Sequence, residues 1–124
     1  TGVIEQFQKE GIRVSLFVDP VPEMVIGAKK CKADRIEFYT GPYAHDFTNN
    51  KEDAIKDYAH AASIASKIGI GVNAGHDLNL DNLRYFKENL PNLLEVSIGH
   101  ALICDALYLG LKNTIQLYLK ELSL

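Results

Sequence analysis

Apolar positions along this chain follow two alternating periods. Runs rich in β-branched and aromatic residues recur at 12–18, 35–40, 70–74 and 94–98, and each predicts a strand. Between them the spacing becomes helical. Val3, Ile4 and Phe7 share one face ahead of Gly11, which predicts a short opening helix with a glycine stop. Pro22-Glu23 starts a second helix through Lys30, with an acid in its first turn. Residues 51–68 give the clearest helical stripe, with Ile55, Tyr58, Ala62, Ala65 and Ile68 on one face and Gly69 after it. Helices are also expected over 80–89 and, as one helix or a pair broken near Gly110, over 101–122. The stretch 43–50, after Gly41-Pro42, reads as a polar loop.

The predicted order is α-βα-βα-βα-βα, the pattern of parallel βαβ units. Right-handed crossovers bring the C-terminal ends of parallel strands to one edge of the sheet. That edge would carry Asp19, Glu37 to Gly41, Asn73 to Asp77 and Ser97 to His100. Ligands and catalysis sit at this end in parallel α/β folds. Four such units make either a small open sheet or half of an eight-stranded barrel. An open nucleotide-binding sheet marks its first turn with glycines, whereas this turn is Asp19-Pro20-Val21-Pro22. Four barrel strands alone leave two unpaired edges, and the chain starts Thr1-Gly2-Val3 without Met. We therefore expect an α/β fold in which residues 1–124 are the C-terminal half of a TIM (β/α)8 barrel, with the N-terminal half absent.

Composition narrows the function. The 124 residues suffice for one core, and 47% hydrophobic with 23% charged residues is the balance of a soluble globular domain. A net charge of −3 without a Lys/Arg stripe argues against nucleic acid. Lys29, Lys30 and Lys32 fall at a predicted helix end, where cations suit the dipole. No apolar run approaches the ~20 residues of a membrane span, and no signal peptide is visible. Cys31 and Cys104 have neither CxxC nor Cys/His ligand spacing, so they read as reduced, mostly buried thiols of a cytoplasmic protein. With no HExxH, Cys/His cluster or Walker loop, no metal or nucleotide cofactor is indicated.

Two strand-like runs end in Gly-His. Ile70-Gly71-Val72-Asn73-Ala74-Gly75-His76 turns polar at Asn73 and delivers His76, a candidate general acid or base because imidazole titrates near neutrality. The alternative is a histidine hydrogen-bonded in a loop. Glu95-Val96-Ser97-Ile98-Gly99-His100 leads into a helix, and amides approaching through Gly99 together with the helix N-terminus suit a phosphate. A plain βα turn that needs glycine for its geometry is the other reading. Glu37, between Ile36 and Phe38, is an inward carboxylate that must be paired or functional, or else an outward, solvated one. Arg13 reads as structural, Asp19 as a turn or rim residue, and His60 as a surface or packing residue. His45 and Tyr43 are candidates for a lid.

The run Val72-Asn73-Ala74-Gly75-His76-Asp77-Leu78, with Ile98-Gly99-His100-Ala101, resembles the pyridoxine 5′-phosphate synthase family. Residues 12–19 and 36–41 resemble the same family's fifth and sixth strands, so the likeness spans the chain. It implies a TIM-barrel enzyme of vitamin B6 biosynthesis. The reaction condenses 3-amino-2-oxopropyl phosphate with 1-deoxy-D-xylulose 5-phosphate to pyridoxine 5′-phosphate, phosphate and water. The resemblance makes His76 the catalytic proton donor, Asp77 a substrate-binding position, Gly99 and His100 the phosphate-binding pair, and Glu37 an acid of the site interior. It also implies a homo-oligomer acting on phosphorylated small molecules. Asp77 stands where relatives often have glycine, and Tyr39 where some have histidine. The family's other catalytic histidine and glutamate, and its arginines, belong to the N-terminal half. The 124 residues alone are therefore expected to be inactive. The alternatives are another phosphate-binding barrel, an isomerase or aldolase, and a non-catalytic α/β domain.

Overall fold

The computed structural model describes residues 1–123. Helix α1 (Gly2–Lys9) precedes strand β1 (Ser15–Val18), helix α2 (Pro22–Lys30) and strand β2 (Arg35–Tyr39). Helices α3 (Gly41–Asp46) and α4 (Lys51–Ile68) lead to strand β3 (Gly71–Gly75) and helix α5 (Leu83–Asn89). Strand β4 (Leu93–Ser97) is followed by helices α6 (His100–Leu109) and α7 (Leu111–Leu122).

The four strands are all parallel and lie in chain order β1-β2-β3-β4. Sequential order with crossovers of one hand winds in a single direction, which closes barrels, whereas a doubly wound sheet reverses at a switch point. The fold is that of half a TIM barrel. Side chains of Ile36, Phe38, Val72 and Ala74 are fully buried against the helices. The opposite face carries the register layer Phe17, Glu37, Asn73 and Glu95 and, above it, Tyr39, Gly75 and Ser97. Phe17 is 60% exposed there, where none of the described residues forms a covering layer.

Local chemistry explains the strongest elements. Asn50 caps α4 by accepting the Asp53 backbone N–H at 3.1 Å. Gly69 ends the helix at φ 68°, a left-handed conformation that glycine adopts without a Cβ penalty. Ile55, Tyr58, Ala61, Ala62 and Ala65 form the buried face of α4. Phe86 of α5 lies edge-on to Tyr43 at 4.8 Å and to Tyr58 at 5.5 Å. Burial raises both phenols, and Tyr58 is pushed up to about 12.

Some expectations are corrected. The polar loop at 43–50 begins as α3, with Pro42 in the first turn, where its missing N–H costs nothing. The first strand starts at Ser15 rather than Ile12, and α5 starts at Leu83 rather than Leu80. Asn79 and Asn82 hold an Asx-type turn ahead of α5: Asn79 Oδ1 accepts Asp81 N–H, and Asn82 Oδ1 accepts Asn79 N–H. The last stretch is, of the two forms expected, the pair of helices divided at Gly110, φ 79°. Neither cysteine is fully buried: Cys31 is half-buried just past α2, and Cys104 is exposed because α6 buries none of its residues.

On the open face, Arg13 reaches from ahead of β1 to Glu95 of β4, Nη2 to Oε2 2.8 Å. Arg35 meets the same oxygen at 3.0 Å, and Asn73 bridges Arg35 and Glu95. A contact from before the first strand to the last requires the sheet to curl. Desolvation raises the Glu95 carboxyl, but the Arg13 hydrogen bond and charge, with Arg35, outweigh it and hold it below the ordinary carboxylate range.

Asp34 ties the base of β1 by accepting the Val14 N–H at 2.7 Å and the Gln8 amide at 3.1 Å. The Val14 bond first, then Gln8, lowers its pKa. A carboxylate depressed on folding stabilises above its unfolded pKa and loses that contribution as pH falls through the folded one. Asp34→Asn should therefore flatten the acid limb of urea stability against pH. An unchanged limb would contradict this role.

Candidate active site at the strand ends

Strand β3 runs buried through Asn73, Ala74 and Gly75, and its next two residues are exposed. His76 has φ 98° and Asp77 φ 57°, both in the left-handed region that non-glycine residues rarely adopt. Such positions cost of order 1–3 kcal/mol and persist where their surroundings fix them. Here the Thr40 hydroxyl donates to the His76 carbonyl, and Thr40 N–H donates to Gly75 O at 3.0 Å. The Asn82 amide donates to the Asp77 carbonyl at 3.2 Å. The turn thus aims a histidine outward from a pinned backbone. Its Nδ1 lies 3.0 Å from Asp77 Oδ2, and Nε2 is its other ring nitrogen.

Strand β4 delivers the second histidine. Gly99 is the N-cap of α6 and His100 its first residue, with Ile103 N–H donating back to Gly99 O at 3.0 Å. His76, Asp77, Ser97, Gly99, His100 and Ala101 line one solvent-open cavity of about 520 Å³. The structure therefore brings together four of the five residues singled out from sequence. The start of α6 and both histidines thus border one hollow, a place where a helix N-terminus suits an anion.

Glu37 lies beside this cavity rather than in its lining. It is half-buried on the open face of β2, opposite Asn73 of β3. A Cβ on Gly75 would fall 2.6 Å from Glu37 Oε1 and 3.0 Å from Ser97 Cβ. Glycine at 75 is what lets the carboxylate lie against β3, one residue before His76. Asp19 lines a separate cavity of about 530 Å³ with Asp46, Asp53, Asp57 and two buried tyrosines, away from the histidines.

The proposed lid pair divides. Tyr43 is fully buried and donates to Asn82 O at 2.7 Å, so it is a core residue and not part of a lid. Its aromatic ring packs because Gly41-Pro42 start a helix that turns it inward. His45 is exposed on α3, and His60 is exposed on α4. Thr40 and Tyr39 fall within the strand-end edge expected from the sequence but carry no assigned role there, and Asn82 lies outside it. The only signal for the first is its place after a strand and before Gly41. Asn82 is separated from the turn it holds, so nothing local pointed to it.

Among the described residues, no group of three or more His, Cys, Asp or Glu could hold a metal ion. No described helix is long and apolar enough to cross a membrane.

Comparison with known proteins gives one family. The family model described as "Pyridoxal phosphate biosynthesis protein PdxJ" matches residues 1–123. The pyridoxine 5′-phosphate synthase of Cytophaga hutchinsonii is 66% identical over 123 residues, covering 99% of this chain and 52% of the relative. That of Flavobacterium johnsoniae is 58% identical over 121 residues, covering 98% and 51%. That of Bacteroides thetaiotaomicron is 58% identical over 116 residues, covering 94% and 49%. The chain spans about half the length of the curated relatives it matches.

Proposed function

The chain belongs to the PdxJ family of pyridoxal phosphate biosynthesis proteins, and on that premise we propose that it forms the C-terminal half of a pyridoxine 5′-phosphate synthase. The whole enzyme condenses 3-amino-2-oxopropyl phosphate with 1-deoxy-D-xylulose 5-phosphate to pyridoxine 5′-phosphate, phosphate and water. It is a cytoplasmic homo-oligomer in this reading.

Ring closure needs repeated proton transfers and loss of water. His76 supplies a proton from Nε2 while Asp77 fixes Nδ1. Asp77 thereby turns its charge toward the imidazole and away from a bound phosphate, to which its backbone N–H remains available. Gly99 and His100 bind that phosphate through the start of α6. Glu37 contributes a carboxylate to the barrel interior, set close by the glycine at 75. The remaining acid–base groups and the arginines come from the N-terminal half, whose strands cover the open face and exclude water from reactive intermediates.

The observation that carries this reading is the shared cavity of His76 and His100. The test is titration of the ¹⁵N-labelled full-length enzyme with inorganic phosphate. Amide shifts centred on Gly99 to Ala101 are expected. A saturating titration that leaves those amides unmoved would overturn the assignment.

A further inference from the structure

Resting on the reading of His76 as the proton donor, we infer that Tyr39 is a positioning residue that holds the His76 imidazole in its working orientation. Their ring centroids are 4.9 Å apart at an interplanar angle of 77°. Edge-to-face pairs at this distance are favourable beyond simple burial. The His76 side chain is otherwise half exposed, and its Nδ1 partner is the neighbouring Asp77. One carboxylate leaves the imidazole free to swing about that contact. A ring against its edge removes the freedom.

Tyr39 is itself placed from three sides. Phe17 of β1 packs on it with centroids 5.6 Å apart and planes tilted by 50°. Its backbone carbonyl accepts the buried Tyr58 hydroxyl at 2.7 Å, and its backbone pairs with Gly75, the residue before His76. Its phenol end lies over Gly41, where a Cβ would come within 2.5 Å of the hydroxyl oxygen and 2.6 Å of Cζ. Gly41 is therefore the gap into which the Tyr39 ring fits. The contact with His76 uses the ring and does not need the hydroxyl.

The test uses the full-length enzyme. Tyr39→Leu should lower kcat by roughly 10- to 100-fold, the scale of a small misplacement of a catalytic group, with KM little changed. Tyr39→Phe keeps the ring and should restore most of kcat. Gly41→Ala pushes the ring aside by a second route and should lower kcat similarly. The double variant Gly41→Ala/Tyr39→Leu should be no slower than Tyr39→Leu, because both act through one ring. In NMR spectra, the His76 ring protons should lose their aromatic ring-current displacement in Tyr39→Leu and keep it in Tyr39→Phe. A Tyr39→Leu enzyme with wild-type kcat, or His76 ring shifts identical in the two Tyr39 variants, would overturn the inference. Those ring shifts bear on it even if His76→Asn retains activity, whereas that activity would count against the proton-donor reading alone.

Discussion

Full-length enzyme carrying His76→Asn is expected to lose roughly 10²- to 10⁴-fold in kcat, the usual contribution of a positioned general acid. Asparagine keeps a polar side chain of similar reach and tolerates the left-handed backbone better than most residues, so the turn at φ 98° should survive. It cannot deliver a proton. Phosphate binding should persist, since Gly99 and the start of α6 are untouched. The combination separates the synthase from an isomerase or aldolase that places its proton transfers elsewhere. A variant that closes the pyridine ring at wild-type rate would remove His76 from the chemistry. One that loses phosphate binding along with turnover would show damage to the cavity as a whole.

Phe86→Ala should be the most damaging core substitution, at about 3–5 kcal/mol for deleting a buried aromatic ring. Phe86 is fully buried and touches Tyr43 and Tyr58 edge-on, so three helices meet at its ring. Neither tyrosine can slide into the space. Tyr43 is anchored to Asn82 O and Tyr58 to Tyr39 O, each at 2.7 Å. The loss should also reach the site, because Asn82 holds the Asp77 carbonyl and the Tyr39 carbonyl anchors Tyr58. Urea unfolding of the full-length protein measures it. A shift under 1 kcal/mol, on the scale of a surface change, would mean that the cluster repacks freely.

Sequence periodicity located all four strands to within three residues at either end, and the α4 boundaries to the residue. Strand patterns survive here because buried parallel strands are apolar on their helix side whatever lies on the other. Turn chemistry also read clearly where glycine or proline dictated it, at Gly69 and Pro22. Helix α3 was missed because its six residues are too few to show a period, and Pro42 looks like a breaker unless its place in the first turn is known. For the site, the two Gly-His endings placed His76 and His100 on one rim by topology alone. Distances across the sheet were invisible. Nothing local in the sequence links Arg13 to Glu95, 82 residues apart, or turns the Asp77 carboxylate onto its own neighbour.

The open face of the sheet gives the account its physical logic. Phe17, Glu37 and Tyr39 line a surface that the described residues leave uncovered, and their layer leads up to the histidine rim. In the proposed reading, water there would hydrate Glu37 and quench intermediates, and the N-terminal half of the barrel would be what excludes it.

The most direct measurement is the amount of pyridoxine 5′-phosphate formed from the two phosphorylated substrates by the full-length protein and, in parallel, by residues 1–124 alone. The account predicts ring product accompanied by free phosphate from the full-length protein and none from the segment. Phosphate release without ring product, or turnover by the segment by itself, would contradict it.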